Sequence, residues 1–261
     1  MPTVRTSCPI IAIAGRKGGS GKTTTAINLA GALAERGWHV ALCDLDPQAS
    51  LTRVILGATA RDVEGIGTRI LSPQHGLDGL AQPTGITGVD IYPGDRAIET
   101  AGVALTDNPT GPLRLRKLLR PTDGYDAVIL DTPPALGFAL NSALLAAQIA
   151  ILPTELVQQD LDALADTILL RDELDDLGAA RIAAILPNAV RNDSHDRVSL
   201  ALLREQFGPL VADPIPLAVA IKHALNSALP VVAHEPKSAG AQAYRVLADR
   251  LEQEIAHGTP A

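Results

Sequence analysis

The chain has 261 residues, 46% of them hydrophobic and only 2% aromatic, enough for one large α/β core built from Ala, Leu, Ile and Val. Its formal charge of -7 makes nucleic-acid binding, which runs on Lys and Arg contacts to phosphate, depend on a local basic patch. Cys8 and Cys43 form no C-x-x-C pair, so Cys43 is expected as a buried small hydrophobe without a metal or disulfide role; with no leader segment and no uninterrupted apolar stretch of spanning length, the chain is expected to be cytoplasmic.

In chain order, the first element is the apolar run 9–14, expected as a strand. It enters Gly15-Arg16-Lys17-Gly18-Gly19-Ser20-Gly21-Lys22-Thr23-Thr24-Thr25, and Ala/Leu-rich helical spacing follows over 23–36 with Gly37 as the stop. Glycines between a strand and a helix turn backbone N–H groups toward phosphate oxygens, Lys22 can reach the β/γ-phosphates, and the Thr23 hydroxyl can ligand Mg²⁺. This is nucleoside-triphosphate chemistry. The general pattern G-x-x-x-x-G-K-[ST] has glycine where this chain has Arg16, and Lys17 precedes the glycine pair instead.

Further apolar runs at 40–45, 89–92, 127–130, 149–152 and 182–186 alternate with helical patterns, which predicts a mostly parallel sheet with helices on both faces. The runs are nearly continuous, as strands covered on both sides should be. One domain over 1–261 is expected, with residues 57–88 as loop and short helices. Ligands of such sheets bind at the carboxyl ends of the strands. Asp46, Asp131, Asn188 and Pro216 all fall there. His39, His75, His195, His223, His234 and His257 show no metal spacing and are expected to be structural or surface residues.

Lys17-Gly18-Gly19-Ser20-Gly21-Lys22-Thr23-Thr24 resembles the deviant Walker A box of the ParA/MinD group of P-loop ATPases. Asp44-Leu45-Asp46-Pro47-Gln48 is similar to the D-x-D-P-Q box of ParA proteins, and 125–134 to their Walker B strand and switch. Glu235-Pro236-Lys237-Ser238, with Gly240 and Ala243-Tyr244-Arg245, is similar to the entry of their C-terminal helix. The resemblance spans roughly 9–255. It implies a dimer closed around ATP and Mg²⁺, slow hydrolysis, and Lys17 reaching the phosphates of a second protomer; a loop lysine serving its own phosphates is the alternative. Asp131 would hold Mg²⁺ through its water shell and Asp46 would orient the attacking water, with Asp44, two residues away, competing for either task. Asn188 resembles the family's base-reading position and Pro216 lies where the family packs backbone near the base; a capping Asn and a rigid turn are the plainer readings.

Two kinds of partner compete: duplex DNA with a ParB-type protein in chromosome or plasmid partition, and a membrane, as for MinD. The chain's end, 247–261, carries acidic residues and neither Trp nor Phe, unlike a basic amphipathic anchor. A phosphate loop beginning within 17 residues of the first residue leaves no room for an N-terminal helix-turn-helix domain in this sequence. From Arg181 onward eight Lys/Arg balance eight Asp/Glu, so the acidic excess lies earlier. The candidate DNA contacts are Arg204, Lys222, Lys237 and Arg245, on a nucleoid-associated ATPase. A ParA-like positioner of a protein cargo would share every motif quoted.

Overall fold

The computed structural model describes residues 8–258 apart from 62, 106, 109 and 121–123, with the backbone alone for 61, 257 and 258. The readings made for the His257 side chain and for 259–261 therefore fall outside the described residues. Seven strands form one sheet in the order β3-β4-β2-β5-β1-β6-β7. They are β1 (Ile10–Ile13), β2 (Val40–Asp44), β3 (Gln82–Pro83), β4 (Val89–Tyr92), β5 (Ala127–Asp131), β6 (Ile149–Thr154) and β7 (Arg181–Pro187). Every pairing is parallel except β3 with β4.

The six apolar runs are the six parallel strands. The short β3 lies inside 57–88, where loop and short helices were expected; two residues, one of them Pro83, carry no periodicity, and a proline is tolerated because this strand is the edge.

The helices are α1 (Lys22–Ala34), α2 (Ser50–Leu56), α3 (Ile66–Leu71), α4 (Ala97–Ala104), α5 (Leu113–Leu119), α6 (Phe138–Ala146), α7 (Gln158–Glu173), α8 (Ser194–Phe207), α9 (Val219–Asn226), α10 (Val231–His234) and α11 (Ala239–Gly258). Successive strand residues serve opposite cores. Ile11, Ile13, Val40, Leu42 and Ile129 pack with residues of α1, α9 and α11. Ile10, Ala12, Cys43, Val128 and Leu130 pack with residues of α3 through α7 on the other face. Both alternations are apolar, which is why the strands read as unbroken runs. Cys43 is fully buried, and burial beside Asp44 and Asp131 pushes its thiol far above the ordinary range.

α1 stops two residues short of the expected Arg36. The chain tightens there: Arg36 N donates to Leu33 O and Gly37 N to Ala34 O, and Gly37 takes a φ of 80°, a left-handed value that glycine adopts without a Cβ clash. Beyond β7, residues 211–217 run along the sheet, with Ala212 N on Ile185 O at 2.8 Å, Ile215 N on Pro187 O at 2.9 Å and Leu217 N on Val190 O at 2.9 Å. This covers the edge and brings Pro216 beside the turn that carries Asn188. α11 closes the other side over α1 through the buried Tyr244 and through Trp38, whose Nε1 donates to Glu252 Oε1 at 2.8 Å.

Candidate nucleotide-binding site

The connection from β1 to α1 leaves the carboxyl end of β1, which lies between β5 and β6 in the sheet. Gly19 and Gly21 take φ of 87° and 88°, values open to glycine at no steric cost. Gly21 is required for a second reason: a Cβ there would lie 1.8 Å from Asn188 Nδ2. That amide donates to Ser20 O at 2.9 Å, while Asn188 Oδ1 accepts from Ala189 N at 3.0 Å. Asn188, 8% exposed, is thus docked on the loop in this state. Pro216 is bridged to Val190.

Lys22 is buried, and its Nζ donates to Lys17 O at 2.7 Å. Burial lowers its pKa, opposed by the charges of Asp131, Asp46 and Asp160. Thr23 Oγ1 donates to Asp131 Oδ2 at 2.7 Å, whereas Asp131 Oδ1 is buried with no hydrogen-bond partner. Burial first, and the nearby Asp44 second, push the Asp131 carboxyl up to about 8. A hydroxyl beside a buried carboxylate with one unused oxygen is the donor set of a hard divalent cation. Thr24 O accepts from Asn28 Nδ2 at 2.8 Å, and Asn28 Oδ1 accepts from Val231 N at 2.6 Å, tying the start of α1 to α10.

Asp44 and Asp46, indistinguishable by spacing, have different surroundings. Asp44 is fully buried and accepts from Asp46 N at 3.0 Å, Thr52 N at 2.8 Å and Thr52 Oγ1 at 2.7 Å. Burial still raises it to about 6. Asp46 is half-buried on the turn beyond β2, and its Oδ1 accepts from Gln48 N at 2.8 Å.

The Lys17 side chain is held on α7. Its Nζ forms an ion pair with Asp160 Oδ1 at 2.7 Å, at the start of α7, with Gln159 Oε1 at 3.4 Å. Arg16 pairs with Asp166, further along the same helix. Nothing in the sequence marked α7 as part of the site, since its acidic residues match no motif and join the loop only through tertiary packing.

The four basic candidates are dispersed. Arg245 makes a bidentate pair with Glu35 at 2.7 and 2.8 Å and also donates to Pro236 O, and Arg204 lies 3.6 Å from Asp213. Lys222 on α9 and Lys237 before α11 are exposed and form no ion pair among the described residues. His195, expected without metal neighbours, does approach Asp193 and Asp196 at the start of α8. Asp193 caps that helix by accepting from Asp196 N at 2.9 Å, and Asp196 Oδ2 accepts from Arg191 N at 2.6 Å, so these carboxylates serve the helix start.

Residues 8–175 match the family model described as an AAA domain. The chain is 35% identical over 245 residues to the chromosome-partitioning ATPase Soj of Thermus thermophilus, covering 92% of this chain and 94% of that protein. Its fold superposes on MinD of Pyrococcus horikoshii in complex with Mg-ADP with a TM-score of 0.77 at 27% identity, covering 97% of this chain and 100% of that one. An ATP complex of McdA from Cyanothece gives a TM-score of 0.85 at 21% identity, over 95% and 98% of the two chains. Among the described residues, no helix is long and apolar enough to cross a membrane.

Proposed function

Because this chain belongs to the ParA/MinD-type P-loop ATPases, we propose that it is a partition ATPase whose ATP-bound dimer holds duplex DNA and whose slow hydrolysis, prompted by a ParB-type partner, lets go. The observation that carries the dimer is the position of Lys17. Its Nζ is held on Asp160 of α7, in an ion pair that is 37% exposed on the lysine side. A lysine so placed is available to a second protomer once that pair opens.

In this reading Lys22 leaves Lys17 O for the β/γ-phosphates, while the N–H groups of Gly18 to Thr24 cradle them. Thr23, and Asp131 through the ion's water shell, would hold Mg²⁺, which would neutralise charge on the phosphate oxygens. Asp46 orients the attacking water; Asp44, engaged by three donors, keeps the β2 turn and α2 in place. Lys17 of the facing protomer supplies the cation that stabilises the charge developing on the γ-phosphoryl oxygens. Asn188 would leave Ser20 O to meet the edge of adenine, with Pro216 packing near the base.

DNA binding draws its support from Lys222 and Lys237, the two candidates without an acidic partner among the described residues; Arg204 and Arg245 are already paired. Dimerisation doubles these contacts, and affinity rises steeply with the number of phosphates neutralised. The test is DNA retention with ATP and Mg²⁺, titrated with salt, for the native chain and for Lys222→Glu. Retention by the ATP dimer alone, weakened in the variant, is expected. A dimer that forms with ATP yet retains no DNA at low salt would instead favour a protein-cargo positioner, the reading that the acidic excess supports.

A further inference from the structure

Arg16 replaces a glycine of the general phosphate-loop pattern and takes no part in the phosphate cradle described above. Its side chain pairs with Asp166, and its backbone N–H donates to Thr167 Oγ1 at 3.3 Å. Thr167 is 1% exposed, and its own hydroxyl donates to Ala163 O at 2.7 Å, so the oxygen facing Arg16 N is held as an acceptor. Two bonds therefore tie the residue before Lys17 to the middle of α7. On the other side, Lys17 O accepts from Ser20 Oγ at 3.2 Å and from Lys22 Nζ at 2.7 Å.

The Lys17 contact with Asp160 and the Arg16 contact with Asp166 lie six residues apart on α7, roughly 9 Å at 1.5 Å per residue. The first can open while the second stays closed. We propose that Arg16 is a positioning residue: it anchors the base of Lys17 to α7 so that the lysine side chain moves from Asp160 to the facing protomer on a fixed backbone. This rests on the reading of Lys17 as acting across a dimer. When Lys22 turns to the phosphates, Lys17 O loses one of its donors, and the Arg16 anchor is what then keeps the backbone in register. A misplacement of about 1 Å is enough to cost a positioned group much of its effect.

The Arg16 and Asp166 side chains are 45% and 43% exposed, so the pair adds little to fold stability. Its effect lies in geometry, which separates it from an ordinary surface pair. Arg16→Ala and Asp166→Ala should each weaken the ATP-dependent dimer by about fivefold to tenfold in sedimentation velocity, because the pair is lost once in each protomer. The double variant should be no weaker than either single one, and Arg16→Lys, which keeps the charge, should stay within about twofold of native. ATP affinity of the monomer and the melting temperature should hardly move. Should Arg16→Ala not fold, Asp166→Asn repeats the measurement from the other partner.

Native-strength dimers in the single variants, or an additive double variant, would overturn the proposal. So would a matching loss of ATP affinity, which would make Arg16 part of the phosphate cradle. Native protein and Lys17→Ala serve as references. If the native chain does not dimerise with ATP, the dimer reading itself fails; if it does, Lys17→Ala does not, and Arg16→Ala behaves as native, only the anchor is lost.

Discussion

Asp131 shows how burial and chemistry meet in one side chain. Its carboxyl is raised to about 8 and that of Asp44 to about 6, both above the unfolded value of about 3.9. The nucleotide-free folded chain therefore binds more protons than the unfolded one across that window. The resulting stability is complete below about pH 4 and is lost as the pH rises through about 6 for Asp44 and about 8 for Asp131. Asp131→Asn should flatten the fall of melting temperature between pH 6 and 8 and melt a few degrees higher than native at pH 8; parallel melting curves for the two proteins would contradict this. Lys22→Ala should weaken ATP binding about 100-fold or more in calorimetric titration, since the buried loop loses the charge nearest the phosphates. Lys17→Ala should bind ATP as a monomer, and an ATP-dependent dimer seen by light scattering would assign Lys17 to its own cradle. For Asp46→Ala the expected outcome is a dimer that forms with ATP and persists; hydrolysis at the native rate would pass the water to another group.

Among the elements, the phosphate loop depends on a neighbour 167 residues away in sequence, because Gly21 lies against Asn188. Gly21→Ala must strain a φ of 88° and displace an amide 1.8 Å from the new Cβ. Loss of ATP binding with an unchanged far-ultraviolet circular dichroism spectrum is the expected result. A different device holds α3. Asp95 Oδ2 accepts from Gly65 N at 3.1 Å, Thr68 N at 3.2 Å and Thr68 Oγ1 at 2.7 Å, so a residue after β4 caps a helix that begins far earlier in the chain. Asp95→Ala should lower unfolding stability by about 1–2 kcal/mol, as loss of a cap does, which urea denaturation would detect. No local pattern announces this cap, because the usual one sits immediately before its helix.

For the molecule as a whole, the question is how a chain of net charge -7 would hold a polyanion. The two candidate lysines that have no acidic partner among the described residues lie on the side of the sheet covered by α1, α9 and α11, with Ile221 beside Lys222 packing against Gly240 near Lys237. Their contribution is small in one protomer and doubled in two. Retention should therefore appear only with ATP, fall linearly in log-log against salt, and show a shallower slope in Lys222→Glu.

Periodicity and contiguous motifs were enough to give the parallel sheet, the phosphate loop and the strand ends that face it. Unbroken apolar runs report double-sided burial directly, and a loop that binds through its own backbone has its residues side by side in the chain. They were not enough to give β3, which is too short for a period, or to separate Asp44 from Asp46. That separation comes from Thr52, whose hydroxyl donates to Asp44 and accepts from Gly94 N, an arrangement made only when α2 and the turn after β4 pack beside β2. The same holds for α7: Asp160 and Asp166 meet Lys17 and Arg16 from more than 140 residues away. Acidic residues on an exposed helix look alike in a sequence, and packing against the loop is what gives these two a task.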